Sequence, residues 1–212
     1  MDIVEKALSF AEAFFRGESS GHDYFHTLRV FQLATRIAEA EGADVQTVQL
    51  AALLHDVDDR KLSPETCENR ANARKFLTEQ QVDAGTIDNI CQIIGEISYA
   101  GKDSVTPATL EGKCAQDADR LDAIGAIGIG RAFAFGGNHN RLMYHPDIAP
   151  NLNMGKEEYY RSESTTINHF YEKLFLLKDL MNTPTAQEIA AARQSYMQEY
   201  ITQFIAEWNG LR

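Results

Sequence analysis

Basic side chains are scarce in this chain: 20 lysines and arginines stand against 31 aspartates and glutamates in 212 residues, a formal charge of -11. A surface of that sign repels a phosphate backbone, so extended nucleic-acid binding is disfavoured. A small anion stays admissible, because a few local lysines or arginines, or a bound cation, reverse the potential inside one cleft. Cysteine is also rare. Cys67, Cys91 and Cys114 are odd in number and widely spaced, which argues against a disulfide framework or a structural zinc knuckle and leaves buried reduced thiols. No segment offers the roughly 18 uninterrupted apolar residues of a membrane-spanning helix. The opening Met1-Asp-Ile-Val-Glu-Lys6 has neither the basic start nor the apolar stretch of a signal peptide. The expectation is a cytoplasmic protein with no membrane partner.

Strand-like alternation is scarce too, and so are internal repeats and low-complexity tracts. The helical period dominates instead, with Val30, Leu33, Ala34, Ile37 and Ala38 on one face. That periodicity predicts an all-α fold with helices over 2–16, 24–42, 45–58, 66–80, 84–98, 108–125, 161–181 and 185–208. Pro64, Pro107 and Pro184 each follow a Ser or Thr near a proposed helix start, the arrangement of an N-cap followed by proline. Residues 136–156, rich in Asn and Pro, read as a long surface loop. With 44% hydrophobic residues, the chain has enough apolar material for one sizeable core. The expectation is a single domain over 1–212, its C-terminal helices closing that core through Phe170, Leu174, Leu177, Leu180, Ile189, Phe204 and Trp208. Gly125, Gly128 and Gly130 resemble a nucleotide loop, but no strand precedes them and their spacing does not fit one, so they read as sites of close helix packing.

Against this background His26, the adjacent pair His55-Asp56, and Asp119 place two imidazoles and two carboxylates at separated points of a helical chain. That donor set reads as a site for a divalent metal ion such as manganese, iron, cobalt or zinc, with room left for water. Metal-activated water points to hydrolysis. Each residue alone would more often be hydrogen-bonded or solvated. His55-Asp56, however, ends the apolar run Leu50 to Leu54, where an unpaired carboxylate would be costly to bury.

The segments His26-Thr-Leu-Arg-Val30, Leu50-Ala-Ala-Leu-Leu-His-Asp56 and Asp117-Ala-Asp-Arg-Leu-Asp122, in that order, resemble the HD-domain metal-dependent phosphohydrolases over residues 20–122. The glycine-rich 124–130 segment, His169-Phe-Tyr-Glu-Lys-Leu174 and Glu207-Trp-Asn-Gly210 are similar to a bacterial subgroup that includes nucleotide pyrophosphohydrolases. The resemblance implies a compact helical bundle holding one divalent ion on His26, His55, Asp56 and Asp119. Manganese or magnesium comes first, with iron, cobalt, nickel or zinc also admissible. No histidine lies between Asp56 and Asp119, whereas relatives with two metals place further histidines in that interval, so one ion is expected.

Asp56 and Asp59 are the candidate catalytic carboxylates. Asp59 lies one turn after His55, at an offset where the alarmone-hydrolase branch places an acidic residue; the plain alternative is a solvated helix end. A triphosphate also needs cationic contacts, for which Arg29, Lys61, Lys102 and Arg120 are candidates. Arg29 shares a helical face with His26 and is the best supported of them. His22, one turn before His26, is assigned to phosphate contact or to positioning, with an exposed histidine at a helix entrance as the alternative. The expected reaction cleaves a (deoxy)nucleoside triphosphate to monophosphate and pyrophosphate. Nucleotide phosphomonoesterase action, alarmone hydrolysis and a noncatalytic nucleotide sensor remain as alternatives.

Overall fold

Aspartates start most helices of the N-terminal half. Asp2, Asp23, Asp44 and Asp83 each sit in extended backbone and accept a backbone N–H of the following turn, opening α1 (Ile3–Phe14), α2 (Tyr24–Glu41), α3 (Val45–Leu54) and α5 (Ala84–Ile97). These four carboxylates also complement the positive ends of the helix dipoles. The Thr47 hydroxyl and amide beside Asp44 hold its carboxyl below the usual carboxylate range. In this computed structural model the described residues are 2–18, 23–98, 105–152 and 164–212. Among them the fold is all-α and without strands.

The remaining elements are α4 (Ala71–Glu79), α6 (Leu110–Asp122), α7 (Gly125–Asn138), α8 (Thr166–Glu172), a 3-10 helix (Leu174–Leu180) and α9 (Pro184–Trp208). The described residues form two compact units, one from 2 to 119 and the other from 120 to 212.

In the first unit α3 packs against α1, α2 and α5, and α4 packs on α5. The apolar run of α3 is what makes this possible: Leu50, Ala51, Leu53 and Leu54 join Ala7, Phe15, Phe76, Leu77, Ile90 and Ile93 in one core. A helix surrounded on several sides needs apolar residues all round rather than a single stripe. In the second unit α7 packs on α8 and α9, and the 3-10 helix on both α8 and α9. Phe170, Leu174 and Leu177 are buried there as expected, but Leu180 and Trp208 are 39% and 47% exposed. Leu180 lies where the 3-10 helix ends, and Trp208 stacks edge-on with Tyr144 at 5.1 Å in the last turn of α9.

Several boundaries differ from expectation. α3 stops at Leu54 rather than 58, and α4 starts at Ala71 rather than 66. Thr66 turns back on Ser63, and α4 is capped from a distance: Asp58 accepts the amides of Asn72 and Ala73, each at 3.0 Å. Pro64 therefore marks a turn, not a helix start. At α6 the cap is Thr109, whose hydroxyl accepts the Gly112 amide at 3.0 Å, two residues beyond Pro107. Pro184 does lie in the first turn of α9, capped by Thr183. The stretch expected to be a loop over 136–156 begins only after α7, and its residues 153–156 lie outside the described chain. Glycine in α7 is required at three positions: Gly125 has φ of 78° and lies against Arg193, a methyl on Gly128 would strike the Ala123 carbonyl, and one on Gly136 the Thr166 hydroxyl. Gly130 has open space, so packing does not explain it. The expected helix over 161–181 divides at Lys173, and its residues 161–163 lie outside the described chain.

Candidate metal centre

His26 reaches the site from the first turn of α2. Its amide donates to Asp23 at 2.7 Å, which sets the register of that turn, and its side chain is buried. His55 and Asp56 stand in the turn that ends α3. His55 still has helical backbone angles, the turn follows it, and both adjacent side chains lie beside His26.

Four donor atoms converge. His26 Nε2 lies 3.5 Å from Asp56 Oδ2 and 3.4 Å from Asp119 Oδ1, while His55 Nε2 lies 3.1 Å from Asp56 Oδ2 and 3.9 Å from Asp119 Oδ1. The two imidazoles meet edge to face with centroids 5.3 Å apart. His26, His55 and Asp56 each offer a ligand atom within 4.8 Å of the others. Asp119, on α6, closes the group with a side chain 23% exposed.

The hydrogen bonding of His55 tests whether a cation fits. Its Nδ1 lies 2.8 Å from the Ala52 carbonyl, which can only accept, so the ring proton sits on Nδ1. The lone pair is thereby left on Nε2, a buried atom with no hydrogen-bond partner. A buried, unsatisfied imidazole nitrogen aimed at two carboxylates is a costly arrangement unless a cation or proton sits among them. Burial pushes the His55 imidazole pKa down, but the Asp56 and Asp119 carboxylates outweigh it and hold it above the ordinary value. For Asp119 burial favours the neutral acid, and the neighbouring His26 and His55 more than reverse this, leaving its carboxyl below the usual range. Both shifts come from imidazoles and carboxylates crowded at one point, and the mixed nitrogen and oxygen donors suit a divalent ion.

The other candidate residues are dispersed. Arg29 is half-buried on α2. Asp59 is half-buried and turns onto its own loop, its Oδ1 accepting the Lys61 amide at 2.8 Å, while Lys61 itself is exposed. Arg120 is 5% exposed and donates through Nη1 to the Leu180 carbonyl. His22 and Lys102 lie outside the described residues.

Sequence reasoning missed Asp58 and Gln116. Asp58, the residue before Asp59, is 5% exposed and has both oxygens engaged by α4 amides, so it anchors the turn that carries His55 and Asp56. Asn72 reinforces this by donating to the Val57 carbonyl at 2.9 Å. Gln116, fully buried, donates to the carbonyls of Glu96 and Val105 at 2.6 and 2.9 Å and so fixes α6 one turn before Asp119. Nothing in the local spacing announces either role, since both depend on residues far away along the chain.

Residues 23–124 match the HD domain family, a span that contains all four converging residues. YpgQ of Bacillus subtilis is 36% identical over 210 residues, covering 98% of this chain and 95% of YpgQ. The structure of YpgQ in complex with ADP superposes with a TM-score of 0.78 at 35% identity, over 99% of this chain and 100% of that one. A Lactobacillus plantarum protein of known structure is 40% identical, with a TM-score of 0.84 over 98% of this chain and 97% of its own. An HD-superfamily hydrolase from Bacillus thuringiensis is also 40% identical, with a TM-score of 0.76 over 97% and 96% of the two chains. With the sequence motifs, the helical fold and the histidine-aspartate cluster in agreement, the chain belongs to the HD superfamily of metal-dependent phosphohydrolases.

Proposed function

We propose that the chain hydrolyses (deoxy)nucleoside triphosphates to monophosphate and pyrophosphate, with His26, His55, Asp56 and Asp119 as the ligands of one divalent ion. The observation that carries this reading is the convergence of two carboxylates on the unpartnered Nε2 of His55. The ADP complex of YpgQ, a relative 36% identical, supports a nucleotide as the ligand. A divalent ion held there, manganese or magnesium, would polarise a phosphoryl oxygen and lower the pKa of a water toward neutral pH.

The chain's own groups supply position and proton transfer. The Nδ1–H bond to Ala52 holds the His55 ring so that only Nε2 faces inward. Asp56, buried beside the two imidazoles, brings a carboxylate oxygen to 3.5 Å from His26 Nε2 and 3.1 Å from His55 Nε2, where a cation would be shared among them. Asp58 is unsuited to take a proton, because its two oxygens already accept the α4 amides. Asp59, four residues after His55, is the carboxylate we assign as general base, with Oδ1 on the Lys61 amide. Arg29, one turn along α2 from His26, holds a phosphate through its guanidinium fork.

Anion-exchange product analysis with a nucleotide panel and manganese or magnesium tests the reading, with Asp56→Ala as control. Monophosphate with pyrophosphate, absent from the control, is the expected result. Orthophosphate release would make the enzyme a phosphatase, and equal turnover by Asp56→Ala would overturn the site.

A further inference from the structure

A cleft of about 520 Å³ opens in the first unit, lined by Arg70, Arg74, Asp88, Cys91, Gln92, Gly95, Glu96 and Val105. None of the four converging residues is in its wall. The size suits a small molecule. Its charged groups are unequally satisfied. Arg74 pairs with Asp88 at 2.7 Å and donates to the Asn69 carbonyl at 3.1 Å, and Gln92 donates to Glu96 at 3.2 Å. Arg70 is different: it is half-buried, and no hydrogen bond or ion pair to another described residue engages its guanidinium.

The backbone holds Arg70 in this place deliberately. It precedes α4 with φ of 55°, the left-handed region that a side chain bearing a Cβ rarely adopts. On the opposite wall, α5 has glycine at 95, and a methyl there would fall inside the Arg70 guanidinium. A strained backbone on one side and a missing side chain on the other thus seat one unpaired cation against the cleft.

We propose that this cleft is a second ligand site, in which Arg70 binds the phosphate of a small hydroxylated monophosphate, a sugar or nucleoside monophosphate. The guanidinium fork matches two phosphate oxygens. Glu96 and Gln92, on the same helix as Gly95, offer a carboxylate and an amide to the hydroxyl or N–H groups of the ligand body. Glu96 also brings negative charge to the wall, which discriminates against the longer polyanion of a triphosphate. The site is independent of the metal centre.

The test uses the whole chain freed of metal by a chelator, titrated with AMP, ribose 5-phosphate, pyrophosphate and ATP. Nitrogen-proton NMR follows the Arg70 Nε–H signal, assigned by its loss in Arg70→Lys. The expected result is a saturable shift of that signal with AMP or ribose 5-phosphate, whichever body the site accepts, and roughly tenfold weaker binding by Arg70→Gln, the loss of one charge-assisted contact. Gly95→Ala, which displaces the guanidinium, is expected to weaken binding likewise. An Arg70 signal unmoved by either monophosphate in the wild-type protein overturns the proposal without reference to any variant. A larger shift with pyrophosphate or ATP than with both monophosphates overturns the ligand class.

Discussion

Asp58 and Asp59 are neighbours of the same type with different employment. Asp58 is buried against two α4 amides, whereas Asp59 is half-buried with one oxygen on its own loop. Asp58→Ala is therefore expected to cost about 1–3 kcal/mol in chemical denaturation, the penalty for leaving capped donors unsatisfied in a part-buried place. Asp59→Asn should leave the denaturation midpoint nearly unchanged while lowering turnover by a hundredfold or more, the ordinary contribution of a general base. Equal stability of the two variants would contradict the division of roles. The thiols offer a second comparison. Burial pushes Cys114 up to about 12, and burial raises Cys91 as well, while Cys67 is half-buried. A thiol reagent near neutral pH should modify Cys67 first and Cys114 only on unfolding, because the thiolate is the reacting form.

Helix α9 runs 25 residues from Thr183, which is buried and accepts the Ala186 amide at 3.3 Å. Thr183→Ala should remove about 1 kcal/mol and lower the melting temperature by roughly 2–4 °C in a calorimetric scan. This start was legible in the sequence because the cap and its proline are adjacent. The same reasoning failed at Pro64, where the signal was local but the deciding partner, Asp58 against Asn72 and Ala73, lies 14 and 15 residues away. The helix over Gly125–Asn138 was hidden by its glycines, which lower helix propensity and are tolerated where a neighbour such as Thr166 leaves no room for a Cβ. Of the site, His26, His55, Asp56 and Asp119 were legible because the chemistry restricts residue types. For the basic candidates the signal is weaker, since long basic side chains carry little spacing constraint, and Arg120 holds a backbone carbonyl.

At the scale of the whole molecule, His169 is one group through which pH acts on stability. Burial lowers its pKa to about 3, with Lys173 and Arg141 adding to the effect, against an ordinary value of 6.5. The unfolded chain binds the extra proton, so this contribution is complete above pH 6.5 and is lost progressively as pH falls toward about 3. Urea titrations between those limits should show stability falling with acid, less steeply in His169→Asn. Metal should act in the opposite sense: an ion at a hundred times its dissociation constant adds about 2.7 kcal/mol to the folded state. A chelator is thus expected to lower the melting temperature of the wild-type chain and leave that of Asp56→Ala unchanged. The most direct measurement is a manganese titration followed by electron paramagnetic resonance, on the wild-type chain and on Asp56→Ala. The account predicts one tight ion per wild-type chain and none in the variant; tight binding of equal stoichiometry in both would contradict it.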